Sequence, residues 1–293
     1  MIIATPSTVY TLKNAHTLPD TLYTDLSIRR AIEGQETHII ALTDGSLLLS
    51  TSTGLRQVST NISDRIDALC LLKERPLHLL IGTTPPHVYQ LQGDSTVSLC
   101  SSFEALSVRS QWYTPWGGPP AVRSLAKTTD GWVYADIHVG SIMRSPDQGH
   151  TWEPVTPTLH EDVHEVATTP ASDNRVYANT YLSVYISEDC GETWHHRSDA
   201  LQNRYGRGIA VNPKDSSVML CGVSDGPTGV NVRGQLYYSE NAGGTWYHIT
   251  QGFPLSTRQN IDTFHIAYMD ETIAWVVDED NLYLSQDQGQ TWE

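Results

Sequence analysis

Ser145-Pro146-Asp147-Gln148-Gly149-His150-Thr151-Trp152 is the stretch that decides the fold, because the sequence repeats it. The pattern Ser-x-Asp/Asn-x-Gly-x-Thr-Trp occurs four times, and its serines are 42, 52 and 46 residues apart. A self-similar unit of roughly 40–50 residues is typical of one four-stranded blade of a β-propeller. The repeated positions are Ser145, Asp147, Gly149 and Trp152; Ser187, Asp189, Gly191 and Trp194; Ser239, Asn241, Gly243 and Trp246; and Ser285, Asp287, Gly289 and Trp292.

The residue types in this pattern suit a tight turn between two strands. Ser and Asp side chains can accept hydrogen bonds from backbone N–H groups inside their own turn. Glycine supplies the positive φ that closes the turn, and the tryptophan can fill the space between neighbouring blades. We therefore expect the four copies to be structural elements and not sites of chemistry.

The motif resembles the Asp-box, also called the BNR repeat, of sialidases, xyloglucanases, sortilin-type receptors and photosystem assembly factors. Asn241 replaces the aspartate in the third copy. The resemblance implies an all-β propeller of four-stranded antiparallel blades and is nearly silent about activity. We expect one domain over residues 1–293 with seven blades, six being the alternative. Residues 1 to about 30 should form outer strands of one blade, with the termini meeting at ring closure.

The amino-acid composition limits the kinds of partner that we expect the protein to bind. The chain has 18 basic and 33 acidic residues, and its net charge is −15 with histidine neutral. Such an acidic surface repels phosphate backbones and anionic lipids, which argues against nucleic-acid and membrane roles. The first residues lack a basic region and a long apolar run, and the four cysteines are not closely spaced. We therefore expect a cytoplasmic protein without a disulfide framework.

Candidate site residues come from aligning the innermost strands, which line the central channel of a propeller. The small-residue strings Leu125-Ala126, Val166-Ala167, Ile209-Ala210, Ile266-Ala267 and Ile40-Ala41 set the register. The residues two positions earlier should then surround one end of the channel, with Asp67 from a degenerate blade. They are Arg123, His164, Arg207, Phe264 and His38.

Other polar and aromatic groups belong to loops at the same end of the predicted ring. Guanidinium and imidazole groups together suit a small polar or anionic ligand, especially a carboxylate. His164, Asp67, Asp262 and His38 are the candidate catalytic residues, and His164 is the leading general acid or base. Candidate ligand-binding residues are Arg123, Arg207, His138, Trp116, Tyr205 and Tyr113. The alternative is an internal ion network without a ligand.

Three functions fit this inventory. The first is an enzyme acting by acid–base chemistry on a small anionic substrate, as a lyase, isomerase or hydrolase. The second is a non-catalytic scaffold that binds a protein partner. The third is a sialidase-like glycosidase with a divergent site, although Arg29-Arg30-Ala31 stands where the resemblance implies Arg-Ile-Pro. No cofactor is expected; the metal alternative would use His164, His138 and His38.

Overall fold

The computed structural model describes residues 1–14, 17–51, 54–93, 96–227, 231–279 and 281–293. These residues form seven antiparallel sheets arranged as the blades of a β-propeller, with one short α-helix and one 3-10 helix. Within each blade, consecutive strands pair with each other from the channel outward. The first strand of each blade packs against the first strand of the next. Seven blades are therefore confirmed.

The strands are numbered along the chain. Blade 1 contains β1 (Ile2–Ala4), β2 (Val9–Thr11) and β3 (Asp20–Tyr23); blade 2 contains β4 (Ile28–Glu33), β5 (His38–Leu42), β6 (Leu47–Thr51) and β7 (Gly54–Val58). Blade 3 contains β8 (Arg65–Glu74), β9 (Leu77–Thr84), β10 (Val88–Gln92) and β11 (Thr96–Leu99), followed by helix α1 (Ser101–Glu104) and a 3-10 helix (Ser107–Gln111).

The remaining blades carry the repeated turns. Blade 4 contains β12 (Val122–Lys127), β13 (Val133–Ile137), β14 (Ser141–Ser145) and β15 (Glu153–Pro154); blade 5 contains β16 (Val163–Thr169), β17 (Ser172–Thr180), β18 (Ser183–Ser187) and β19 (His195–His196). Blade 6 contains β20 (Tyr205–Val211), β21 (Met219–Ser224), β22 (Gln235–Ser239) and β23 (Tyr247–His248); blade 7 contains β24 (Ile266–Tyr268), β25 (Ala274–Asp278) and β26 (Asn281–Ser285).

Each repeated turn is held by its own side chains. In the first copy, Ser145 Oγ donates to Asp147 Oδ1 at 2.8 Å and accepts the N–H of Gly149 at 2.8 Å. The other oxygen of Asp147 accepts the Thr151 hydroxyl at 2.7 Å. Gly149 has a φ of 90°, and the Trp152 indole donates to its carbonyl at 3.0 Å. All four tryptophans are buried between blades, as the sequence predicted.

The first 30 residues differ from expectation. They do form a blade, but they are not its outer strands alone, because β1–β3 make up a sheet of their own and β1 contacts β4. The innermost strand of blade 2 is β4, and β5 lies second. His38 therefore does not begin an inner strand. It pairs in register with Glu33 at the opposite end of the channel from Arg30, so its predicted placement in the site is wrong.

The ring closes by side-chain packing. Leu12 of blade 1 is buried against Trp275 and Leu284 of blade 7. Among the described strands, no sheet combines strands from the two ends of the chain. In blade 7 the position of a fourth strand is taken by Glu293, whose backbone exchanges two hydrogen bonds of 2.9 Å with Leu284.

Candidate functional site

Five innermost strands carry an irregularity at the same place. In blades 2 to 6, the register between the first and second strands shifts by one extra residue near the start of the first strand. A β-bulge of this kind bends the strand and redirects a side chain. The bulges gather one residue from each blade at the end of the channel where the inner strands begin, here called the channel mouth: Arg29, Asp67, Arg123, His164 and Arg207.

Asp67 is enclosed by cations. Its carboxylate lies 2.8 Å from Arg29 Nη2 and 3.1 Å from Arg65 Nε, and it also accepts the Thr84 hydroxyl. Arg30 binds the Asp67 main chain instead, donating from Nε to the carbonyl oxygen at 2.6 Å. Asp67 is consequently an anchor for arginines, and these contacts give no support to its predicted role as a catalytic acid or base.

His164 is enclosed by protein on all sides, with no exposed surface. Its Nδ1 donates to the carbonyl oxygen of Gly206, and its Nε2 lies 3.2 Å from Asp162 Oδ1. Burial lowers the pKa of His164, while Asp162 opposes that shift. With Nδ1 bonded to Gly206, Nε2 can bond Asp162 Oδ1 only when a proton lies between them, which requires the imidazolium or the protonated acid. Arg123 adjoins this pair, donating to the Val163 carbonyl at 3.0 Å.

Arg207 and Asp262 form a third group at the channel mouth, the end of the ring where the sequence analysis also expected both residues. Their closest atoms are 2.8 Å apart, and the guanidinium carbon of Arg207 lies 5.9 Å from the centre of the Tyr205 ring. Burial would raise the pKa of Asp262, but the charge of Arg207 together with the hydrogen bonds from Arg207 and the Thr263 N–H lowers that pKa. Arg207 Nε is buried without a hydrogen-bond partner within the described structure.

Glycines of blade 6 position Asp262. The segment 257–263 runs across this blade so closely that a Cβ atom on Gly208 would lie 2.8 Å from the Asp262 carbonyl oxygen. A Cβ on Gly222 or Gly234 would meet the same segment within 3.0 Å. Gly208 N–H donates to the Ile261 carbonyl at 3.1 Å. Only glycine permits this approach, which brings Asp262 to Arg207.

The channel mouth is positive in an acidic protein. Five arginines and three aspartates gather there, in a chain whose net charge is −15. Within this group, Arg30 donates only to main-chain carbonyls in the described contacts. We call the group the arginine cluster; it consists of Arg29, Arg30, Arg65, Arg123 and Arg207 with Asp67, Asp162 and Asp262.

Two further carboxyl groups lie beneath the arginine cluster. Burial raises the pKa of Asp136 to about 7, against the influence of Arg123 and the Ser124 N–H. Burial also raises the pKa of Glu165 well above its ordinary value, and Glu165 accepts the N–H of Ile209 at 3.0 Å. Neutral carboxyl groups do not cancel the charge of the arginines.

Asp136→Asn is expected to change how stability depends on pH. The folded protein holds the Asp136 proton to a higher pH than the unfolded chain, so stability is lost as pH rises from about 4 to about 7. Asparagine resembles the protonated acid, and the variant should lack this part of the loss. Urea denaturation at several pH values measures it; parallel curves for variant and wild type would contradict the raised pKa.

Aromatic residues at the channel mouth divide into buried and exposed sets. Tyr205 is buried, with its ring centre 4.6 Å from that of His164. Trp116 and Tyr113 are 73% and 49% exposed, and Tyr181 is 50% exposed above Tyr205. Tyr181 and Tyr113 present exposed aromatic surface at the mouth, Tyr181 beside Tyr205 and Tyr113 with its hydroxyl 3.5 Å from Glu161. Such a surface is typical of protein contacts more than of a deep small-molecule pocket.

Further along the channel, the lining combines apolar residues with Glu33, Lys127 and Thr168. A cavity of about 380 Å³ is bordered by residues that follow the bulges, including Leu69, Leu125, Val166 and Ile209. His138 stays near the mouth, where burial lowers its pKa to about 4 and Arg123 adds to the effect. The predicted metal site of three histidines is not assembled, because His38 lies at the other end of the channel. Within the described part of the chain, no three His, Cys, Asp or Glu side chains are placed to hold a metal ion.

Sequence reasoning missed three arginines and three acids of this site. Arg29 stands two residues before Ala31, as Arg123 stands two before Leu125, and that spacing was the available signal. The string Ile40-Ala41 has the pattern of an inner strand but lies in β5, the second strand of blade 2. It was therefore mistaken for the inner strand of that blade. The other missed residues are Arg30, Arg65, Asp136, Asp162 and Glu165.

Comparisons with known proteins give a partial family match. Residues 140–254, less than half of the chain, match the family model described as Sortilin-Vps10, "Sortilin, neurotensin receptor 3". Comparison with curated proteins gives no significant match. Among the described residues, no helix is long and apolar enough to cross a membrane.

Solved structures resemble the whole ring. An ancestral GH74 enzyme superposes with a TM-score of 0.66 at 15% identity over 91% of this chain, which spans only 38% of that enzyme. YCF48 bound to D1 peptide gives 0.60 at 16% identity over 92% of this chain and 83% of its own. YCF48 from Cyanidioschyzon merolae gives 0.67 at 12% identity over 96% and 88%. At such identities the likeness establishes the β-propeller fold alone.

Proposed function

We propose that this protein is a non-catalytic binding module whose arginine cluster holds an acidic segment of a protein partner at the channel mouth. The observation that carries the proposal is the positive mouth of an otherwise acidic propeller. Arg30 has no carboxylate partner in the described contacts, and its guanidinium donates only to two main-chain carbonyls there. Guanidinium groups with free donors favour carboxylates, and a positive opening concentrates acidic ligands.

The exposed rings support a polypeptide ligand over a small molecule. Tyr113 and Tyr181 offer exposed aromatic surface near the arginine cluster, and aromatic side chains with arginine are the residues that contribute most to protein interfaces. The YCF48 propeller with a bound D1 peptide is an example of the same fold holding a peptide.

We also propose that the four repeated turns are Asp-boxes. The support is that the serine of each turn donates a hydrogen bond to the Asp or Asn side chain two residues later.

The acid–base enzyme receives less support. His164, its leading catalyst, has no surface through which to meet a substrate. A glycosidase needs two carboxyl groups facing each other across the sugar. Asp67 and Asp262 are each paired with arginine, while Asp136 and Glu165 are buried. None of the four stands free at the channel mouth.

Peptide binding tests the proposal. Fluorescence anisotropy with labelled acidic, neutral and basic peptides should show selective binding of the acidic peptides, weakened by salt. Arg30→Gln and Arg207→Gln should each raise Kd by about tenfold, which corresponds to about 1.4 kcal/mol. Arg197→Gln, which changes an exposed residue outside the mouth, is the control.

Three results would overturn the proposal. The first is equal binding of acidic and basic peptides, and the second is unchanged affinity in both mouth variants at preserved thermal stability. The third is release of sugars from xyloglucan or a sialoside by the purified protein, which would favour the glycosidase instead.

A further inference from the structure

Phe264 has an unusual conformation for its size. Its φ is 67°, in the left-handed region that favours glycine, and a bulky residue there is strained. Its side chain is nevertheless 45% exposed, so burial of the ring does not offset the strain. Strained residues persist where the surrounding structure imposes them, and they concentrate at functional sites.

The neighbours of Phe264 impose this backbone. The Phe264 N–H points to Glu165 Oε2 at 3.4 Å. Thr263 donates from its hydroxyl to the carbonyl of His164 at 3.0 Å, and the carbonyl of His265 accepts the N–H of Val277 at 2.9 Å. The residues on both sides of Phe264 are thus fixed by hydrogen bonds to blade 5 and to β25.

The imposed conformation places an aromatic ring beside a guanidinium. The guanidinium carbon of Arg30 lies 5.7 Å from the centre of the Phe264 ring, within the range of a cation–π contact. Arg30 comes from blade 2 and Phe264 precedes blade 7, and these two blades flank blade 1. An apolar surface and a cation therefore adjoin at the channel mouth.

We propose that Phe264 and Arg30 form one recognition element for an acidic peptide segment in which an apolar side chain adjoins a carboxylate. This inference rests on the proposed function and specifies its ligand. Arg30 binds the carboxylate, while the Phe264 ring packs against the neighbouring apolar side chain. The strain at Phe264 is retained because it directs the ring outward.

The test uses two labelled peptides of equal charge, one with phenylalanine beside each aspartate and one with serine there. Wild type should prefer the phenylalanine peptide by roughly fivefold, the range of an aromatic contact. Phe264→Gly should bring this ratio close to one and leave the affinity for the serine peptide unchanged. Because glycine accepts a positive φ, the melting temperature of the Phe264→Gly variant should equal or exceed that of wild type.

Tyr247→Ala, at an exposed ring on the outer strand of blade 6, is the matched control and should keep the preference. Equal affinity of wild type for both peptides, or an unchanged ratio in Phe264→Gly, would overturn this inference while the proposed function stands. A lower melting temperature in Phe264→Gly would also overturn it, because the ring would then be structural. Binding of neither peptide by wild type would instead reject the proposed function.

Discussion

Trp194→Ala is expected to lower the free energy of unfolding by about 3–5 kcal/mol, the range for truncating a buried aromatic side chain. Trp194 is only 5% exposed and lies in a core cluster shared by blades 4 and 5, with Val155 and Tyr185. Its indole donates to the Gly191 carbonyl at 3.2 Å. Alanine leaves both a cavity and an unpaired carbonyl.

Chemical denaturation of Trp194→Ala beside Trp116→Ala measures this effect. Trp116 is 73% exposed, so its substitution removes the same side chain without opening the core. The free energies of unfolding of the two variants should therefore differ by most of the loss predicted for Trp194→Ala. Similar stabilities for both variants would show that the repeated turns do not lock neighbouring blades together.

His164→Ala should also destabilise the protein, by about 3–5 kcal/mol. The substitution removes an imidazole that has no exposed surface, which leaves a cavity and deprives the Gly206 carbonyl of its hydrogen-bond donor. This expectation is the opposite of the one for a catalytic histidine, whose loss would stop turnover at unchanged stability. The burial of His164, which the sequence pattern did not indicate, is the reason why a loss of stability is expected instead of a loss of turnover.

Thermal and urea denaturation of His164→Ala and His195→Ala provide the comparison. His195 lies exposed on β19, and its substitution should leave the melting temperature near that of wild type. An unchanged melting temperature for His164→Ala would show that the pair with Asp162 is not a stabilising element, and would restore His164 as a candidate acid or base.

The propeller was predictable because its turns are encoded locally. Ser145, Asp147 and Gly149 interact within a few residues of each other, so one short pattern carries the whole turn and its repetition gives the blade length. Blade 1 has no such turn, and its place in the ring depends on contacts with both chain ends. Sequence reasoning therefore expected a blade here but took its strands for outer strands only.

The site was predictable only in part, because it depends on bulges and on long-range contacts. Arg123 and Arg207 were found since each precedes a recognisable inner-strand string. Asp162 and Glu165 escaped notice, because the burial of Glu165 and the contacts of Asp162 with His164 and Arg123 appear only in the folded chain. Spacing along the chain cannot tell the first strand of a blade from the second, and His38 was misplaced for that reason.

The packed junction between blades 1 and 7 has a consequence for the folding of the chain. Leu12 meets Trp275 and Leu284 across almost the full length of the polypeptide. Joining such distant segments costs more chain entropy than adding a neighbouring blade, and among the described strands none is shared across the junction to offset that cost with backbone hydrogen bonds. We therefore expect this junction to assemble last and to open first, so that hydrogen exchange and proteolysis should detect opening there before elsewhere in the ring.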